Sequence, residues 1–62
     1  MGEREVIEAV ATQEGELWVA SFVIDGLEYG TQARTLVGLE PMIADVARSL
    51  GYADVEVLIR QG

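Results

Sequence analysis

The sequence contains no cysteine, no histidine and no lysine. Without cysteine there is neither a disulfide nor a thiolate ligand, and without histidine an ordinary zinc site lacks its usual ligands. The same absences remove Ser-His-Asp and Cys-His nucleophiles, and the missing lysine removes a Schiff base, a Ser-Lys pair and a P-loop. No apolar run reaches the roughly 18 residues of a membrane span, and no basic n-region opens the chain. Absent cysteine also suits a reducing compartment. The expectation is a soluble, cytoplasmic protein with no membrane partner.

Carboxylates are what remains for acid–base or metal chemistry. They fall as Glu14 and Glu16 at one turn, Asp25 and Glu28 at the next, and Asp54 and Glu56 at the start of the last strand. Turn chemistry and solvated strand ends explain each of them more simply. No catalytic residue, cofactor or metal is therefore expected.

Basic charge is scarce as well. Eleven Asp and Glu face four Arg, for a formal net charge of -7. A domain that neutralises phosphates needs a basic stripe, whereas Arg4, Arg34, Arg48 and Arg60 are scattered, so this chain alone is not expected to bind nucleic acid. An acidic surface keeps a small protein dispersed and also complements a basic partner.

The chain has 62 residues, and residues 1–62 read as one domain, without repeat, linker or low-complexity tract. A domain of this size buries only about 60% of the surface its unfolded chain exposes. Its core rarely supplies more than a few kcal/mol, so such chains are usually reinforced by disulfides, a metal or another subunit. With disulfides ruled out and an ordinary zinc site without its usual ligands, oligomerisation remains, and a homodimer is the first expectation.

What is present is a clear alternation of strand and turn. Residues 4–12, REVIEAVAT, carry β-branched residues; Glu14-Gly15 offers a turn; Leu17–Ile24 forms a second strand. Asp25-Gly26 suits a type I′ turn, whose two central positions both need positive φ, and Leu27 to about Ala33 returns as a third strand. If Glu14-Gly15 is the first loop, Ala11 opposes Trp18, Ala9 opposes Ala20 and Ile7 opposes Phe22. If Asp25-Gly26 is the second, Ile24 meets Leu27, Phe22 meets Tyr29 and Trp18 meets Ala33. Opposed residues share a face, so both registers collect the same apolar set on one side, Trp18 included.

The period then becomes helical, with Leu39, Met42 or Ile43, Val46 and Leu50 on one stripe. Thr35 is a candidate N-cap, but Pro41 would then stand inside the helix, so a kinked first turn or a start nearer Gly38 is expected. Gly51 suits the position just past the helix end. Residues 54–60, DVEVLIR, alternate as a fourth strand.

The fold expected from this pattern is α+β, β-β-β-α-β, a four-stranded mostly antiparallel sheet in the order 3-2-1-4 with one helix packed on one face. The alanines at 9, 11 and 20 leave room for that helix. Nothing covers the other face, where Val6, Val10, Leu17, Val19 and Val23 gather into an apolar patch of the kind that marks an interface. Gln32 and Arg34, polar residues at an outer strand, discourage uncontrolled strand pairing or else serve docking. Val6, Val10, Leu17, Val19, Val23, Gln32 and Arg34 are the candidate interface.

Three stretches resemble the HicB-like antitoxins of bacterial toxin–antitoxin systems. They are GELWVASF around the first turn, Asp25-Gly26, and Thr31-Gln32-Ala33-Arg34-Thr35-Leu36 leading into the helix. Ala33 and Arg34 stand where that family usually has glycine and an acidic residue. The resemblance implies a small domain similar to a degenerate ribonuclease H fold, which self-associates and neutralises a small, basic, RNA-cleaving toxin. The sequence ends at Gly62, straight after the last strand, and the expectation is that the C-terminal DNA-binding segment of full-length members is lacking. The alternative is a homo-oligomeric structural or small-ligand-binding domain with no toxin partner.

Overall fold

The computed structural model describes residues 4–62, which form β1 (Glu5–Glu14), β2 (Leu17–Ile24), β3 (Leu27–Ala33), α1 (Leu36–Ser49) and β4 (Val55–Gln61). The strands make one sheet in the order β3-β2-β1-β4, with β1–β2 and β2–β3 antiparallel and β4 parallel to β1. This is the α+β, β-β-β-α-β architecture read from the sequence, with α1 crossing one face between β3 and β4.

The second hairpin has the expected register, Trp18 opposite Ala33, Phe22 opposite Tyr29 and Ile24 opposite Leu27. Asp25 and Gly26 both carry positive φ, 55° and 79°, as a type I′ turn requires. The Phe22 and Tyr29 rings stack with centroids 6.0 Å apart.

The first hairpin departs from the expectation by two residues. Its loop is Gly15-Glu16 rather than Glu14-Gly15, so Ala9 opposes Phe22, Ala11 opposes Ala20 and Gln13 opposes Trp18. A loop centred on Glu14-Gly15 would force a glutamate to positive φ. In the observed turn only Gly15 takes it, at 65°, as the first position of a type II′ turn demands. Because side chains alternate with a period of two, the slip leaves every residue on its expected face.

The core lies between α1 and that face. Ile7, Ala9, Ala11, Ala20, Phe22 and Ile24 from the sheet meet Leu39, Ile43 and Ala47 from the helix, all of them buried. The three sheet alanines let the helix approach, and Ala47 completes its contact stripe in place of Met42 and Leu50, which are exposed. Trp18 is only half-buried and packs at the margin of the core.

The helix begins at Leu36, earlier than Pro41 suggested. Thr35 is extended and its Oγ1 accepts a hydrogen bond from the Gly38 N–H at 3.0 Å, supplying a partner to one of the unpaired donors of the first turn. Pro41 stands inside the helix and is exposed. The carbonyl it cannot serve belongs to Val37, on an exposed residue where water can take the bond. At the other end the Tyr52 N–H donates to Ala47 O and the Gly51 N–H to Arg48 O, with Gly51 at φ 104°. These are the paired bonds of a Schellman cap.

Candidate functional site

Alternation along the four strands sends a second set of side chains away from α1, onto a sheet face that no other described element covers. Pairing arranges them in rows. Leu58 pairs with Glu8, and Val23 with Glu28; one row runs Arg60, Val10, Ser21, Gly30 and another Thr12, Val19, Gln32. Val6 pairs with Glu56 at one end and Leu17 with Glu14 at the other.

Six of the seven candidate interface residues share this face. Val6, Val10, Leu17, Val19, Val23 and Gln32 all lie on this face, and Gln32 sits directly beside Val19. Arg34 falls one residue past β3, in the turn before the Thr35 cap, and is exposed. Leu17 and Val19 are half-buried by their neighbours, whereas Val23 and Val6 stand 52% and 48% exposed. The apolar centre of the face is thus nearer Val23 and Val6 than Leu17.

Leu58 belongs to the site as well, at 47% exposed and directly beside Glu8. The alternation of DVEVLIR already put it on this side, between Glu56 and Arg60. A single leucine between Glu56 and Arg60 carries no apolar-patch signal of its own until pairing sets it beside β1.

Small side chains shape the surface. Ser21 lies in a depression between Val10, Val23 and Glu28, and a second one lies along β1 and β4 between Glu8, Leu58 and Arg60. The two meet at Glu8 and Val10. Both are open to solvent. Carboxylates flank the apolar centre, since Glu8 and Glu28 line the same depression as Val23.

The carboxylate pairs considered for chemistry are engaged or dispersed. Asp25 accepts a hydrogen bond from the Tyr52 hydroxyl at 2.5 Å. Asp54 and Glu56 both face Arg4, at 3.5 and 3.6 Å. Glu14 and Glu16 are exposed at the first turn. Among the described residues no three acidic groups converge in a metal-holding cluster, and no helix is long and apolar enough to cross a membrane. Comparison with models of known protein families, with curated proteins and with solved structures finds no match.

Proposed function

We propose that this chain is a non-catalytic, HicB-like protein-binding module that associates with itself and uses its uncovered sheet face to dock and neutralise a small basic ribonuclease. The observation that supports this reading is the face itself, where half-exposed Val6, Val23 and Leu58 lie among Glu8, Glu28 and Glu56. Apolar area supplies binding energy of about 25 cal/mol per Å² buried. Carboxylates around it steer and select a partner of opposite charge.

Pull-down from the native host tests this. The wild-type chain should retain a small basic protein with ribonuclease activity that the chain suppresses. Val23→Glu and Glu8→Arg should lose that protein while far-UV circular dichroism stays unchanged, because both side chains point to solvent. If the wild type retains no such protein, or the variants retain it undiminished, the reading is wrong.

A further inference from the structure

The outer edge of β4 has a chemistry of its own. β4 ends the sheet, and its inner side pairs with β1. The Asp54 carbonyl accepts from the Glu5 N–H at 3.0 Å, and the Gly62 N–H donates to Ala11 O at 2.9 Å. Even-numbered residues there thus turn their backbone groups inward. The intervening Val55, Val57, Ile59 and Gln61 turn their N–H and C=O groups outward, and no strand among the described residues lies beyond them.

Exposed edges invite pairing, and proteins normally blunt them with proline, bulges or charge. β4 contains no proline, and its ladder with β1 is unbroken from Val55 to Gln61. Its only charges, Glu56 and Arg60, are of opposite sign and stand symmetrically about Leu58. On the core side Val55, Val57 and Ile59 are half-buried, whereas Ile7 and Ala9 on the neighbouring β1 are buried.

We propose that two copies of this chain pair antiparallel through their β4 edges, about a two-fold axis at Leu58, so that Glu56 of each copy lies opposite Arg60 of the other. In that register all of β4 is paired, Val55 with Gln61 and Val57 with Ile59 across the axis. These are the residues whose backbone groups face outward, so each pair exchanges two hydrogen bonds. Glu56, Leu58 and Arg60 then fall at the non-hydrogen-bonded positions, where opposed side chains come closest, about 4.5 Å between Cα atoms. Two ion pairs flank a Leu58–Leu58 contact.

Other registers are less favourable. Centring the axis on Glu56 opposes two glutamates, and centring it on Arg60 opposes two arginines, each a like-charge contact. The β3 edge offers no equivalent, because an axis at Gly30 sets Glu28 against Gln32 with no side chain at the centre. Arg4 already lies 3.6 Å from Glu56, and the second carboxylate oxygen stays open to an arginine from across the axis. Arg60 makes no ion pair among the described residues. This contact uses the strand edge and takes up Glu56, Leu58 and Arg60 at one margin of the open face, leaving the part around Val10, Val19 and Val23 uncovered and continuous across two subunits.

Sedimentation and cysteine cross-linking decide the matter. The wild-type chain should be a dimer at tens of micromolar. Arg60→Glu should weaken dimerisation about tenfold or more by replacing both ion pairs with like-charge contacts, and adding Glu56→Arg to it should restore the dimer. The chain has no native cysteine, so Leu58→Cys places one thiol per copy at the axis, within reach of a disulfide. It should form a covalent dimer on mild oxidation, while Val23→Cys on the open face should not. A monomeric wild type, a dimer unaffected by Arg60→Glu, or cross-linking through Val23→Cys in preference to Leu58→Cys overturns the proposal. None of these results depends on whether a ribonuclease is bound.

Discussion

Tyr52 ties the end of the helix to the second hairpin turn, and its hydroxyl carries a readable signal. The hydrogen bond to Asp25, reduced solvent around the ring and the negative charge of Asp25 and Glu5 push its pKa from 10.0 up to about 12. A tyrosine raised in this way stabilises the fold fully below pH 10.0, and the contribution is lost as pH climbs through about 12. Tyr52→Phe should remove the absorbance step near 12 and flatten the fall in denaturant midpoint across that window. An unchanged slope would mean the bond contributes nothing. For packing, Phe22 is 3% exposed and Trp18 only half-buried. Phe22→Ala should cost about 3–5 kcal/mol and Trp18→Ala about 2, as read by chemical denaturation. From sequence alone Trp18 shares the core-facing parity and would merit the larger figure. Parity gives the face but not the distance from the centre, and Trp18 lies beside the first turn, at the margin of the core.

At the scale of elements, local turn chemistry was legible where a dipeptide had one good solution and ambiguous where it had two. Asp25-Gly26 could only be a type I′ loop, and β3 follows in register. Around Gly15 the glycine could take either central position, and avoiding positive φ at glutamate decided it. The faces survived that slip, which is why Val6, Val10, Leu17, Val19, Val23 and Gln32 still lie on one side of the sheet. The helix start was obscured for a different reason, since Pro41 is a strong stop signal that here costs a single exposed hydrogen bond. Gly38 explains why the Thr35 cap prevails. A Cβ at Gly38 would lie 2.9 Å from Thr35 Oγ1 and 3.4 Å from Ala33 Cβ, so glycine makes room for the capping side chain. Alanine favours helix over glycine by about 1 kcal/mol, and loss of the cap costs about 1. Gly38→Ala should therefore change stability little in the wild type, yet stabilise by about 1 kcal/mol in a Thr35→Ala background. Equal effects in both backgrounds, measured by thermal unfolding, would show that the two residues are not coupled.

For the whole molecule, one helix covers one face of a four-stranded sheet, and the charge is strongly one-signed. Two copies approaching each other bring together net charges of -7 and -7, a long-range repulsion that opposes any homodimer. The Glu56 and Arg60 contacts act over a few ångströms, whereas the net repulsion acts across the width of the subunits. Salt separates the two, because the Debye length shrinks from about 30 Å at 0.01 M to about 8 Å at 0.15 M and removes distant terms before close ones. Dimerisation should therefore tighten as salt rises over that range, then weaken toward about 1 M, where screening reaches roughly 3 Å and contact pairs are lost as well. Arg60→Glu should retain the first trend and lose the second, since it has no attractive pairs left to screen. Because the proposed dimer forms through the folded β4 edge, the thermal midpoint should rise with protein concentration, most steeply near 0.15 M salt. A dissociation constant from sedimentation that grows steadily with salt from the lowest concentration upward would show that contact pairs, not net charge, dominate association.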